Sequence, residues 1–566
     1  MSDWTAGLNR RFLLGAGGAA GAAAMLGGAT GASARMGGTS RPARAGVSIA
    51  TPADEIVQTR AGRIRGYVRN DIHIFKGIPY AQTTAGANRF MPPQPVAPWS
   101  KTFEALAWGP VCPQGANPQF GDPEFKWLLE WDVGVQGEDC LRLNVWTPSV
   151  RDAAKRPVMV WFHGGGFSSG SAQEFPCYDG ENIARRGDVV LVSVNHRLNT
   201  FGFLDLAKIG GERYAASGAA GMLDLVGALE WVRDNIAAFG GDPGNVTIFG
   251  QSGGGAKVTH LMAMPAARGL FHKAITQSGG GFVRQNNREQ SERLGAAVVA
   301  ELGLTSATLA RIGDVPVYDL QQAVARATAG RPKTGLAGSS FALPAGPAPL
   351  IDGTYILDGT GVPAFSSDIP LLFGGTTHEI ALALFEPELE TIGEAGMIGR
   401  VEKLYPGRGS KLAAVYRQNH PRERPVEILL RIASHGFTGA GIISTSELLT
   451  APGAQRAAAY RFQFDWRTPA LDGRPYAKHN SDIAFAFDNV EKSNPSAAGG
   501  AAAVDLGHRM CDAWTAFART GSPNHRGLPA WQPISATHWP TMVFNTPSRV
   551  EDMVSSTERR AFAAGG

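Results

Sequence analysis

The sequence is poor in cysteine, in charge bias and in long apolar runs. Only 4 of its 566 residues are cysteine: Cys112, Cys140, Cys177 and Cys511. No two stand in Cys-x-x-Cys spacing, which argues against a structural zinc site. Basic and acidic residues nearly balance, 53 against 49, for a net charge of +4. With no dense Lys/Arg patch, nothing marks an electrostatic nucleic-acid binder. Beyond the N-terminal segment no stretch approaches the roughly 18 apolar residues of a membrane-spanning helix. No internal repeat is present. What the chain does have is core material: 43% of residues are hydrophobic and 18% charged, which excludes disorder as the default. Length alone would allow about three or four domains, but one α/β domain with insertions reaches the same size.

The first residues read as an export signal. Arg10 and Arg11 precede a weakly apolar run, "FLLGAGGAAGAAAMLGG", and Ala32–Ala34 offers a small-residue cleavage site. The paired arginines resemble a twin-arginine signal, with Asn9 and Phe12 as departures from its usual surroundings. The run is too short and too rich in glycine to span a bilayer. A signal peptide over residues 1–34 and a linker over 35–50 are expected, and with them a secreted or periplasmic protein. Export permits a disulfide. A Cys112–Cys140 link would close a loop of about 29 residues and contribute roughly 3–4 kcal/mol in the chain-entropy account. Cys177 and Cys511 read as small buried hydrophobes that stay reduced.

After the linker, short apolar runs alternate with helical stretches. "PVMVWF" (157–162), "DVVLVSV" (188–194), "NVTIF" (245–249), "KAITQ" (273–277), "PLLFG" (370–374) and "AAYRFQF" (458–464) each read as a buried strand. They are nearly continuous rather than alternating, as expected of a parallel sheet covered on both faces. Between the second and third lies "LDLVGALEWVRDNIAAF", in which Leu225, Leu229, Val232 and Ile236 share one helix face. The order strand, helix, strand predicts an α/β fold. Residues 282–349 read as a helical, loop-rich insertion above the sheet, and 494–505 as a flexible loop.

Gly250-Gln251-Ser252-Gly253-Gly254 fits Gly-x-Ser-x-Gly between a strand and a helix. A serine on so sharp a turn projects its hydroxyl from the end of the sheet, and its neighbours sit too close for side chains. The plain alternative is a glycine turn. A hydroxyl nucleophile needs a base, an orienting acid and an oxyanion hole. "WFHGGGF" places Gly164, Gly165 and Gly166 directly after a strand, where consecutive N–H groups converge with that of Gly253. A phosphate cradle would need a lysine and a Ser/Thr that this loop lacks. Of 12 histidines, His479 is the first past the last clear strand, with His508 and His538 as rivals. Glu379 follows "PLLFGGTTH" and reads either as the acid or as a carboxylate at a helix N-terminus.

These motifs together resemble the type-B carboxylesterase family, the α/β-hydrolases that include the cholinesterases. "FKGIPYAQ", "EDCLRLNVWTP", "NHRLNTFGFL", "FGGDPGNVTIFGQSGGG", "LFHKAITQSG" and "WTAFARTGSPN" fall in the family's order over nearly everything after the signal. The resemblance implies one α/β-hydrolase domain over 51–566, a mostly parallel sheet flanked by helices, with insertions over the active site. It implies Ser252 as nucleophile, Glu379 as acid and His479 as base, with Gly165, Gly166 and Gly253 at the oxyanion hole. Cys112 and Cys140 match a family disulfide. Ser278 matches a buried serine beside the triad, and Asp482 stands where the family often has a supporting glutamate. No metal or cofactor is implied.

Three departures carry meaning. Gln251 replaces the family's glutamate before the serine, and Gly253 its alanine. Leu382 and Ala383 follow Glu379 where cholinesterases carry aromatics. The lost charge disfavours a cationic choline ester, and the pocket should be roomier and less suited to cation–π binding. The expected activity is hydrolysis of neutral carboxylic esters by a monomer or homodimer. A lipase, an amidase or a non-catalytic binding protein of the same fold are the alternatives.

Overall fold

In the computed structural model of the protein, the described residues are 48–563 apart from 116–122, 280–287, 331–332, 335–342, 345, 358–363, 454–456, 494 and 554–556. The expected signal peptide, with Arg10, Arg11 and Ala32–Ala34, lies outside them. Twelve strands form one sheet: β1 (Ser48–Ala50), β2 (Tyr67–Arg69), β3 (Ile72–Pro79), β4 (Arg142–Thr147), β5 (Arg156–Phe162), β6 (Val190–Val194), β7 (Gly241–Gln251), β8 (Lys273–Gln277), β9 (Leu371–Thr376), β10 (Ala459–Phe464), β11 (Pro540–Phe544) and β12 (Arg549–Asp552). Their spatial order is β1-β2-β3-β4-β6-β5-β7-β8-β9-β10-β11-β12. The strands from β6 to β11 run parallel, and antiparallel strands close both edges. Ser48–Ala50 pairs with β2, so the expected linker ends before it.

All six apolar runs are strands of this sheet, because alternate residues bury themselves on opposite faces. Val158, Val160 and Phe162 of β5 join Val246 and Ile248 of β7 in the core on one side. Met159 and Trp161 join Phe249 in the core on the other. Helix α1 (Ala220–Asn235) covers the first side, with Leu225, Leu229, Val232 and the following Ile236 all buried there. Helix α3 (Gly500–Thr520) covers the second with Leu506, Met510, Trp514 and Phe517. The first turn of α3 takes residues that the sequence reading gave to a flexible loop. A side chain the size of Trp161, fully buried, tilted against Phe249 and edge-on to Phe487, is worth about 3–5 kcal/mol by truncation to alanine.

The order β6-β5-β7 fixes the site. The chain steps from β5 to β6 in one direction, then returns across β5 to β7. The crevice between the C-terminal ends of β5 and β7 is therefore a topological switch point, where α/β sheets leave room for a ligand. The glycine loop leaves β5 at that point and Ser252 leaves β7.

Against the expectation that no stretch past the N-terminal segment approaches a membrane-spanning helix, one helical run among the described residues, Pro425–Thr450, is long and apolar enough to cross a membrane, and half of its most apolar stretch is buried in the protein. A π-helical turn at His435–Gly439 interrupts it, and Ile428, Leu429, Leu430 and Ile432 pack into a core of their own.

Candidate active site

The turn after β7 is strained as the glycine pattern requires. Ser252 has φ 57° and ψ −124°, a conformation L-residues rarely adopt. Its N–H donates to Gln277 O at 2.7 Å, and its carbonyl accepts from Ala256 of helix α2 (Gly253–Met262) at 3.0 Å. These bonds hold the turn to β8 and to the helix. A Cβ on Gly254 would overlap the Phe162 carbonyl, and one on Gly253 would overlap the backbone of Gly166. The glycine loop and the start of α2 thus touch backbone to backbone. Gly165 and Gly166 both take positive φ, 78° and 63°, and their N–H groups donate to no acceptor among the described residues.

The acid and the base sit on the loops after β9 and β10. His378 bridges Lys478 in parallel, its N–H donates to Ala477 O at 3.1 Å, and the His479 N–H donates to Glu379 O at 3.3 Å. The loops after β9 and β10 are so zipped together. Glu379, 1% exposed, places Oε2 2.5 Å from His479 Nδ1. Its Oε1 accepts from the Ser278 hydroxyl at 2.6 Å and from the Thr376 N–H at 2.8 Å. Ser278 thus lies directly against Glu379. Asp482 is one step further back: it accepts from Gln277 Nε2 at 2.8 Å, and Gln277 Oε1 accepts from Trp514 Nε1 at 3.1 Å. Burial pushes the Asp482 carboxyl up to about 6. The rival histidines are engaged elsewhere, His508 with Asp488 at 3.5 Å and His538 with Asp552 at 2.6 Å.

Ser252, Glu379 and His479 line one cavity of about 220 Å³ together with Gly164, Gly165 and Gly166. The Ser252 hydroxyl makes no hydrogen bond to His479 in this arrangement. The Gln251 amide nitrogen lies against the ring instead, 3.2 Å from His479 Nε2 and 3.4 Å from Nδ1. Gln251 is 2% exposed and faces the imidazole rather than open solvent.

The cavity walls were not legible in the sequence. Phe125, Phe385 and Phe437 line it; Phe125 and Phe385 pack at 5.5 Å, and Phe437 meets the His479 ring edge-on at 5.5 Å. Phe385, on the turn Leu382–Phe385, brings an aromatic to the wall three residues past Leu382, so the pocket there is less open than the replacement of the aromatics at Leu382 and Ala383 led one to expect. Leu382 and Ala383 pack into a separate core. Among the described residues, the insertion of 282–349 contributes nothing to the wall. Phe385 could have been suspected from its closeness to Glu379 in sequence; Phe125 and Phe437 carry no such signal. Glu174 and Lys478 also line the cavity. Burial pushes the Glu174 carboxyl up to about 7 and pulls the Lys478 ammonium down to about 7.

The expected Cys112–Cys140 link is not formed here; all four cysteines are free and buried. Cys112 and Cys140 are nevertheless in contact, thiol to thiol, and Cys112 Sγ also accepts the Leu198 N–H at 3.2 Å. Among the described residues, no group of three His, Cys, Asp or Glu side chains is arranged to hold a metal ion.

A doubly wound sheet with a strained serine at its switch point, facing an imidazole–carboxylate pair, is the plan of an α/β-hydrolase that acts on carboxylic esters. The chain belongs to the carboxylesterase family, whose sequence profile matches residues 53–562. It is 32% identical to the para-nitrobenzyl esterase of Bacillus subtilis over 512 residues, 89% of this chain and 98% of that protein. It is also 32% identical to the phenmedipham hydrolase of Pseudarthrobacter oxydans, over 85% of this chain and 93% of that one. Among solved structures, an esterase of Clostridium hathewayi superposes with a TM-score of 0.77 at 37% identity, covering 90% of this chain and 98% of its own.

Proposed function

We propose that the protein is a serine carboxylesterase that hydrolyses neutral carboxylic esters through an acyl-enzyme. The observation that carries this reading is the Glu379–His479 contact of 2.5 Å in the same cavity as Ser252. As substrate enters, His479 Nε2 exchanges the Gln251 amide for the Ser252 hydroxyl, since such bonds tighten in the Michaelis complex. His479 takes the hydroxyl proton as Oγ attacks the ester carbonyl. The N–H groups of Gly165, Gly166 and Gly253 receive the developing oxyanion. His479 then protonates the leaving alcohol, and water repeats the sequence on the acyl group. Glu379, fixed on its other oxygen by Ser278 and Thr376, keeps Nδ1 protonated and steadies the imidazolium. The neutral Gln251 and the phenylalanine wall favour an uncharged ester.

Ser252→Ala tests the reading. It should lower turnover of a nitrophenyl ester by about 10⁴–10⁶-fold with an unchanged circular dichroism spectrum. A variant keeping a tenth of the activity would put the nucleophile elsewhere.

The same proposal includes export by the N-terminal segment, which would take the adjacent Cys112 and Cys140 thiols into an oxidising compartment. Mass mapping of non-reduced peptides from exported protein should find them joined and Cys177 and Cys511 reduced. A Cys177–Cys511 peptide would refute that pairing.

A further inference from the structure

Lys257 lies on α2 behind Ser252, and its side chain is wholly buried. Its Nζ donates to the His163 carbonyl at 2.8 Å and reaches the Gly164 carbonyl at 3.5 Å. Those oxygens belong to the peptide units His163–Gly164 and Gly164–Gly165. The second unit carries the Gly165 N–H at its other end. Among the described residues Lys257 forms no ion pair; the acidic group that acts on it is Glu174, held by Trp131 Nε1 at 2.9 Å and the Tyr178 hydroxyl at 3.3 Å. Burying an ammonium is costly, and an apolar side chain would fill the same space. A role for the charge follows.

We propose that Lys257 is a positioning residue for acyl transfer: from behind the glycine loop its ammonium fixes the two peptide planes and polarises them, making the Gly165 N–H a stronger donor to the tetrahedral oxyanion. This rests on Gly165 being an oxyanion donor, as read above. A cation on a peptide oxygen strengthens the N–H of the same unit through hydrogen-bond cooperativity. The gain appears only where negative charge develops, so it belongs to kcat rather than KM.

The charge is also titratable. Burial pulls Lys257 down to about 7, opposed by Glu174. The other ionisable groups around it are His163 and His196, stacked at 5.2 Å at the ends of β5 and β6, and His260 on α2. Burial holds all three histidines below their ordinary range. The ammonium is therefore present at lower pH and is lost as pH rises through about 7. Oxyanion support should therefore fail on the alkaline side.

The test is kcat and KM against pH for the full-length wild type, Lys257→Met and Glu174→Gln with a nitrophenyl butyrate substrate. Wild-type kcat should fall on the alkaline side. Lys257→Met should lose about 10- to 100-fold in kcat at acid-neutral pH, with KM within about threefold, and should lack the alkaline limb. Its affinity for a trifluoromethyl ketone, which forms an oxyanion, should fall by the same factor. Glu174→Gln removes the carboxylate that supports the ammonium, so its alkaline limb should move to lower pH. A folded Lys257→Met with kcat within twofold of wild type, or one that retains the alkaline limb, overturns the proposal. If Lys257→Met does not fold, a Glu174→Gln limb that stays in place overturns it. Fluorophosphonate labelling of Ser252 checks the underlying reading separately: label without the pH effects refutes the role of Lys257 alone, and no label refutes the triad.

Discussion

Gln251 shows how one side chain changes meaning once its neighbours are known. From the sequence it is a missing charge beside a cationic substrate. In the structure its amide nitrogen is 3.2 Å from His479 Nε2, so the charge it withholds is withheld from the proposed base. A carboxylate at this distance favours the imidazolium over the neutral ring. Gln251→Glu should therefore shift the acidic limb of kcat/KM to higher pH and lower activity in acid. A pH–rate profile reads this directly. A limb that does not move would mean that the glutamate turns away from the ring.

Gly253 belongs to the scale of elements, because it is where the glycine loop after β5 meets the start of α2. The added methyl of Gly253→Ala overlaps the backbone of Gly166, so the loop must withdraw. Overpacking of this kind costs about 1–3 kcal/mol. A displaced oxyanion donor costs about 10²–10³-fold in kcat. Paired measurements of melting temperature and kcat should show the larger effect in kcat. The elements themselves were largely legible. Six strands announced themselves because parallel strands buried on both faces are continuous apolar runs, and Leu225, Leu229, Val232 and Ile236 marked the face of α1. The start of α3 was not, because Gly499 and Gly500 beside an alanine run look like a loop until Met510 and Trp514 anchor the helix. In the site, Ser252 and the glycines were legible from local backbone demands. Glu379 and His479 needed the resemblance as well as their position after strands. Lys257, Glu174 and the phenylalanine wall were not legible, because their partners lie far away in sequence.

At the scale of the whole molecule, buried ionisable groups make stability depend on pH. Asp482 is wholly buried, and its carboxyl rises from its ordinary 3.8 to about 6. Its folded pKa exceeds its unfolded one, so the stability it contributes is complete below about 4 and is lost as pH rises through about 6. Asp482→Asn keeps an acceptor for Gln277 and removes the titration. Its melting temperature should change less than that of the wild type across that window. Equal slopes for the two proteins would place the pH sensitivity on other groups.

The phenylalanine wall has a consequence for how such a protein can diversify. Phe125, Phe385 and Phe437 come from three separate stretches of chain that meet at the cavity, whereas Ser252, Glu379 and His479 hang from the ends of β7, β9 and β10 of one sheet. Diet and chemistry are thus inherited on different parts of the molecule. A lineage could exchange the aromatic panels one at a time and reach new esters while the apparatus that breaks the bond stays as it was.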